Sequence, residues 1–373
     1  MPKLFMVVNE DRFFLSHRKE IALAALKEGY DVTIITKDTG SLKNIEELGL
    51  KTLELPINPT GMNPTQEWHT FNFQLSLYRH EKPDIVHHVG LKNILWGGFA
   101  AKIAHVPGVV NAVSGLGGLF NNEHISLTTR GVLTTMRYAN KRQGVKVIFQ
   151  NNDDLSIMKK YGVVKSNQVE FTKGSGVNLK EYDYAPQPSE ELIKIIFTGR
   201  MVKEKGVLDL IAAAETLKED FEGKVQFLLC GRPTPNKTGL SAEDMQRLCD
   251  GKYICYLGER NDVKELLAKS HIMAFPSYYR EGVPKSLIEA CAIGRPIVTC
   301  DSTGCRDVVD EGINGFKIQP QDVKALANRL RKLILDNKLC EKMGIASREK
   351  AEQEFSIDKV VETHLRIYNE LTH

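Results

Sequence analysis

One pattern recurs along almost the whole chain: a short apolar run, a turn, a segment of helical period, and another apolar run. In the first half it reads Leu4 to Val8, a helix from about Ser16 to Glu28, Val32 to Thr36, Leu53 to Pro56, a helix through Phe73 to His80, then Asp84 to His87. Continuous Val, Ile and Leu runs mark strands buried on both faces, and helices between them mark βαβ crossovers, so the pattern predicts a doubly wound parallel sheet. A second series of the same kind starts near Ile193, after the proline- and acid-containing stretch Tyr184 to Glu191. Two α/β domains are expected, with the linker around Thr172 to Pro188, and 373 residues with 42% hydrophobic content suffice for two cores.

Two strand-to-helix junctions in the second series carry chemistry. Ile195-Ile196-Phe197-Thr198-Gly199-Arg200 leaves a strand, and Lys205-Gly206-Val207 enters a helix. A guanidinium and an ammonium leaving one strand end suit a doubly charged phosphate, and a solvated basic loop is the other reading. Downstream, Phe275-Pro276-Ser277-Tyr278-Tyr279-Arg280-Glu281-Gly282-Val283-Pro284-Lys285 again runs from strand through turn to helix, with Glu281 ahead of the helix and Glu289 expected about two turns inside it. Helix-start amides bind phosphate and carboxylates accept from sugar hydroxyls, a pairing that a nucleotide sugar satisfies. Taken alone, such glutamates are equally read as a dipole-compensating cap and a solvated helix face.

Taken together, Gly199-Arg200, Lys205-Gly206, the two glutamates with seven residues between them, Gly294-Arg295-Pro296-Ile297-Val298, Gly304-Cys305-Arg306-Asp307 and Gly312-Ile313-Asn314-Gly315-Phe316 resemble the glycosyltransferase family 4 signature over essentially the whole C-terminal half. The resemblance implies a GT-B fold: two facing doubly wound domains with a central cleft, residues 1–172 on the acceptor side and 173–357 binding the nucleotide sugar. A terminal helix at about 358–373 would return to the first domain, and Gly174 to Asn178 would be the crossover. It also implies a retaining, metal-independent sugar transfer without a cofactor. Arg200, Lys205 and Glu281 would be the catalytic residues, the two cations stabilising the leaving diphosphate. Gly199, Gly282, Val283, Pro284, Lys285 and Glu289 would hold the donor, with Glu289 on the ribose.

The first half chooses the acceptor in such folds. The loop Ser114-Gly115-Leu116-Gly117-Gly118, preceded by Gly90-Leu91-Lys92-Asn93, resembles enzymes that extend polyprenyl-diphosphate-linked saccharides with N-acetylhexosamines or related sugars. Ser114, Gly115, Gly117, His17, Arg18 and Lys92 are the candidates for this side. Two positions depart from the family: Asn9 to Arg12 lacks its glycine pair, and Ser114 stands where many members have a histidine against the donor sugar. From His124 to Asn152 there is no acidic residue, while Arg130, Arg137, Lys141, Arg142 and Lys146 are basic. A basic, partly apolar helix there suits an anionic membrane surface or a lipid diphosphate, and equally an ordinary solvated face.

Other classes are disfavoured. A net charge of +3 with no basic–aromatic stretch argues against nucleic acid. His87 and His88 are adjacent in a strand and point to opposite faces, so no metal-ligand spacing appears. Seven cysteines without paired spacing fit reduced thiols in the cytoplasm, and no apolar run reaches the roughly 20 residues of a membrane span. A cytoplasmic enzyme, peripheral on the inner membrane face, acting on a UDP-sugar and a lipid-linked acceptor is the expectation. A UDP-hexose or GDP-mannose transferase of lipopolysaccharide or capsule synthesis is the nearest alternative. A GT-B epimerase and a non-catalytic nucleotide-sugar-binding protein are the others.

Overall fold

The computed structural model describes residues 1–59, 63–117, 126–234 and 238–372. Its contacts divide the chain into one unit of Met1–Ser175 with Ile357–His373 and another of Gly176–Ser356.

The first unit is built on a seven-stranded, wholly parallel sheet of order β3-β2-β1-β4-β5-β6-β7. The strands are β1 (Lys3–Glu10), β2 (Asp31–Lys37), β3 (Lys51–Glu54), β4 (Ile85–Val89), β5 (Gly108–Ala112), β6 (Val145–Phe149) and β7 (Val169–Phe171). Strand order reverses between β1 and β4, the place where open parallel sheets leave a crevice outside their carboxyl ends. One face carries α1 (Asp11–His17), α2 (Lys19–Lys27) and α14 (Ile357–Thr372) over a core that includes Leu4, Met6, Ile34, Ile85 and Ile367. The other packs α4 (Pro64–Glu81), α5 (Leu91–Ile103) and α6 (Leu127–Asn140) over Phe5, Val86, Val109 and Phe149. The alternation of the β1 and β4 residues between these two clusters is the strand period of two seen from both sides.

Two helices differ from expectation. The first starts at Asp11 and breaks at Arg18, whose backbone lies at φ −133° and whose side chain turns inward, so one expected helix becomes two. The helix expected through Phe73 to His80 begins at Pro64, because Asn63 caps it by accepting from the Thr65 amide and Pro64 takes the first helical position.

The second unit repeats the architecture with six parallel strands in the order β10-β9-β8-β11-β12-β13. These are β8 (Ile193–Thr198), β9 (Val225–Cys230), β10 (Ile254–Gly258), β11 (Ile272–Phe275), β12 (Ile297–Cys300) and β13 (Gly315–Ile318). The crossover helix α8 (Val207–Phe221) leads from β8 to one side, and α11 (Lys285–Ile293) leads from β11 to the other. The point of reversal is therefore the β8–β11 pair, registered Ile195 to Ile272 and Ile196 to Met273. Helices α9 (Ala242–Leu248), α10 (Val263–Ala268), α12 (Val323–Leu335) and α13 (Asn337–Glu354) complete this unit, as α3 (Leu42–Glu46) and α7 (Asn152–Lys160) do the first.

Arg295 is wholly buried behind this sheet and donates to the carbonyls of Ser270, Ala185, Pro186 and Ile293. It pins the segment before β8 to the domain, and among the described residues no carboxylate bonds to it.

Candidate nucleotide-sugar site

Both junctions singled out in the sequence leave the carboxyl ends of β8 and β11, the two strands at the reversal point, so the fold brings them side by side. Cross-links hold them there. The Tyr278 and Tyr279 amides both donate to the Glu204 carbonyl, at 2.9 and 3.0 Å. Ser302 Oγ donates to the Ser277 carbonyl and Thr299 Oγ1 to that of Phe275. At Gly206, with φ +77°, a Cβ would lie 2.1 Å from the Pro276 carbonyl oxygen, and at Gly304, with φ +83°, 1.9 Å from that of Gly282. Only glycine permits either approach.

Within this frame Lys205 and Glu281 meet. Lys205 Nζ donates to both carboxylate oxygens of Glu281, at 2.7 and 2.6 Å, and the two side chains are 10% and 17% exposed. Ser277, itself buried, donates from Oγ to Glu281 Oε1 at 3.2 Å. The ammonium also lies 4.9 Å from the Phe275 ring centroid and 5.8 Å from that of Tyr279. Arg200 is exposed, with its guanidinium 6.0 Å from the same Tyr279 ring, so one aromatic ring is flanked by both cations. Gly199 lies at the end of β8, just before Arg200.

Pro284 precedes α11, whose first backbone bonds close from Leu287 and Ile288 onto the Pro284 carbonyl. The amides of Lys285 and Ser286 precede those bonds, as at any helix start, and carry the positive end of the dipole. Glu289 is the fifth residue of α11, one turn inside it rather than two, because the helix opens at Lys285. Its carboxylate accepts from Tyr182 Oη at 3.0 Å and pairs with Lys285 Nζ at 3.1 Å. Burial, and next the Glu289 charge, push the Tyr182 phenol upward, so it is a neutral donor at any physiological pH. Lys285 thus contributes its side chain to the site as well as its backbone.

Sequence reasoning missed Tyr182, Ser277 and Tyr279. Tyr182 lies in the stretch read as linker, and its 107-residue separation from Glu289 leaves no local pattern. Tyr278-Tyr279 inside the turn was the available signal for an aromatic floor.

In the first unit, Arg18 is buried and its Nη2 donates to Ser114 Oγ at 3.2 Å, bringing two of the acceptor-side candidates together. Gly115 and Gly117 follow Ser114 with positive φ, and Gly118 lies outside the described residues. His17 stacks on Phe13, centroids 4.1 Å apart. Lys92 is committed elsewhere: it pairs with Glu67 at 2.6 Å and donates to the Asn58 carbonyl. Arg130, Arg137 and Lys141 are exposed along and just after α6, whereas Arg142 is half-buried and donates to the carbonyls of Ala101, Val106 and Pro107. Asp11, buried and unforeseen, accepts from the amides of Arg12, Thr39 and Ser41 and so fastens the loop after β2 beside the end of β1.

Known proteins resemble this chain in sequence and in fold. Residues 180–350 match the family "Glycosyl transferases group 1", and residues 3–152 match "Glycosyl transferase 4-like". The chain is 25% identical over 367 residues to an N,N'-diacetylbacillosaminyl-diphospho-undecaprenol alpha-1,3-N-acetylgalactosaminyltransferase of Campylobacter jejuni, covering 95% of each chain. It is 24% identical to a UDP-Gal:alpha-D-GlcNAc-diphosphoundecaprenol alpha-1,3-galactosyltransferase of Escherichia coli, covering 91% of this chain and 89% of the relative. Among solved structures, Anabaena HepE in complex with UDP and glucose superposes with a TM-score of 0.79 at 18% identity, over 99% of this chain and 100% of that one.

Proposed function

Because the chain belongs to the group 1, family 4-like glycosyltransferases of GT-B fold, we propose that it moves a sugar, an N-acetylhexosamine, from a UDP donor to a polyprenyl-diphosphate-linked saccharide, with retention of configuration, in bacterial cell-surface or protein glycan assembly. The observation that carries this reading is the Lys205–Glu281 pair at the sheet reversal, with Arg200 across the Tyr279 ring and the α11 N-terminus following Glu281. Two cations and a helix start at one strand end form a receptor for a diphosphate, and a carboxylate among them suits the hydroxyls of the attached sugar.

The chemistry follows from the charge that moves. As the anomeric C–O bond breaks, negative charge grows on the leaving UDP phosphate. An ammonium has three protons; Glu281 takes two, which aims the third, and Arg200 adds a planar fork. These groups are in place before reaction and stabilise the leaving group without a divalent cation or cofactor. Glu289, oriented by Tyr182 and Lys285, accepts from the ribose hydroxyls. The acceptor hydroxyl attacks the oxocarbenium-like carbon from the leaving-group face and passes its proton to the departing phosphate. Both curated relatives form alpha linkages by name; from an alpha-linked UDP-hexose that outcome is retention.

The lipid-linked acceptor is supported by the diphospho-undecaprenol substrates in both relatives' names. Among the described residues no helix is long and apolar enough to cross a membrane. Arg130, Arg137 and Lys141, with the exposed Trp68 and Tyr138, form a basic and aromatic surface for peripheral contact with an anionic leaflet on the cytoplasmic side. A UDP-hexose donor is the second reading, favoured by the galactosyl relative. Calorimetric titration with UDP-GalNAc, UDP-GlcNAc, UDP-Gal, UDP-Glc and GDP-Man tests the donor: tightest binding of a UDP-N-acetylhexosamine, weakened in Glu289→Ala, is expected. Binding of GDP-Man alone would overturn the UDP assignment, and binding of none by folded protein would overturn the site.

A further inference from the structure

Arg18 differs from Arg295 and Arg142, the first buried and the second half-buried. Arg295 and Arg142 each meet four backbone carbonyls, which is how a structural guanidinium satisfies itself. Arg18 is 3% exposed, yet among the described residues it donates only to the His17 carbonyl at 2.8 Å and to Ser114 Oγ at 3.2 Å. Its Nε, like that of Arg295, is buried without a partner, so what sets Arg18 apart is that its terminal nitrogens meet one carbonyl and one hydroxyl and that among the described residues no carboxylate bonds to it.

Its titratable neighbours do not balance the charge. His87 and His364 interact with it electrostatically and lie with their rings 5.3 Å apart. Burial holds both far below the ordinary histidine range, His364 at about 3, so both are uncharged at neutral pH. Tyr368, which bonds His87 at 2.7 Å, is pushed upward by burial and is neutral as well. Each histidine also has a buried, unpartnered Nε2. Among the described residues the Arg18 guanidinium is thus a positive charge without a counter-charge in low-dielectric surroundings, an arrangement that is strongly unfavourable until an anion joins it.

The position matches. Ser114 is partly exposed and follows β5, next to β4 at the strand reversal of the first sheet, and it opens a turn whose Gly115 and Gly117 have positive φ. Such a carboxyl-end turn brings backbone close to a ligand.

We propose that Arg18 and Ser114 form a phosphate-binding subsite of the first unit, in which a phosphoryl oxygen meets the Nη edge of Arg18 and the Ser114 hydroxyl and supplies the missing negative charge. This inference rests on the glycosyltransferase reading, under which diphosphates are present on both the donor and the lipid-linked acceptor. The chemistry recognised is the same for both.

The test uses sodium pyrophosphate as the probe and the full chain carrying Arg200→Ala and Lys205→Ala, which disables the donor site of the second unit. Calorimetry is expected to find pyrophosphate binding in this background, weakened about tenfold or more by Arg18→Gln and partly restored by Arg18→Lys, as for a charge-assisted contact. Ser114→Ala, a mild change, is expected to weaken it about threefold with an unchanged melting temperature. Binding that a short-chain polyprenyl diphosphate displaces and excess UDP leaves intact assigns the subsite to a lipid diphosphate, and binding that UDP displaces assigns it to a nucleotide diphosphate. Absence of pyrophosphate binding, or affinity untouched by Ser114→Ala and Arg18→Gln, overturns the subsite; if Arg18→Gln fails to fold, Ser114→Ala alone decides. Wild-type protein that binds UDP while these arms fail loses only this inference, whereas wild-type protein that binds no UDP loses the donor reading itself.

Discussion

Replacing Glu281 by Gln keeps the shape of the nucleotide-sugar site and removes the charge that holds Lys205. With Nζ 2.7 and 2.6 Å from the two oxygens, the gross attraction at an effective dielectric near 20 is about 6 kcal/mol, most of it offset by desolvation. The cost of the substitution is set by what is left behind, an ammonium only 10% exposed. Breaking a fully buried pair costs about 3–5 kcal/mol; the residual exposure and the retained amide oxygen bring this to about 2 kcal/mol. At roughly 2–4 °C per kcal/mol for a unit of this size, the UDP-responsive transition should fall by about 4–8 °C. A bound diphosphate returns a counter-charge to Lys205, so saturating UDP should raise that transition more in Glu281→Gln than in wild type, by up to the same amount. Scanning calorimetry of both proteins, with and without UDP, reads all four values. An unchanged midpoint without UDP, or equal UDP shifts, would refute the idea that Glu281 and the diphosphate share Lys205.

Arg200→Ala and Lys205→Ala are each expected to lower kcat by about 10²–10³, since each removes charge stabilisation of the leaving group. Arg200→Ala should leave the melting curve unchanged, whereas Lys205→Ala, which strands the Glu281 carboxylate, should lower the midpoint without preventing folding, and steady-state kinetics with melting curves checks both. Tyr182→Phe removes one hydrogen bond to Glu289, about 1 kcal/mol, and should weaken UDP binding about fivefold by calorimetry with little change in turnover. Gly206→Ala puts a Cβ 2.1 Å from the Pro276 oxygen at φ +77°, and should abolish activity and destabilise the second unit by several kcal/mol in urea titration. His87, His88 and His364 are held neutral by burial, His88 at about 4 and His364 at about 3. The unfolded chain therefore takes up more protons below its histidine pKa of about 6.5, so the first unit keeps this stability above that pH and loses it as pH falls toward 3. A His364→Asn variant should flatten that acid slope in pH-dependent melting.

The doubly wound rhythm was legible because buried parallel strands are written as uninterrupted apolar runs, and the glutamate-spaced junction because it lies within one local segment. What joins the two junctions was not. Lys205 and Glu281 are 76 residues apart and meet only because β8 and β11 are neighbours, an adjacency set by crossover topology. Lys92 illustrates the same limit: as a sequence it is a free cation after a strand, but Glu67, on α4, already neutralises it. The break at Arg18 was also hidden, since Ser16 to Glu28 has an acceptable helical pattern, and only the inward side chain, reaching Ser114 across 96 residues, separates α1 from α2.

The most direct measurement is transfer itself: purified protein with a UDP-N-acetylhexosamine and a polyprenyl-diphosphate-linked saccharide, the product analysed by mass spectrometry and by the anomeric coupling in its NMR spectrum. The account requires a lipid-linked product one N-acetylhexosamine larger, with an alpha linkage, formed by wild type and nearly lost in Lys205→Ala. A beta-linked product, or transfer that proceeds equally well in Lys205→Ala, would contradict it.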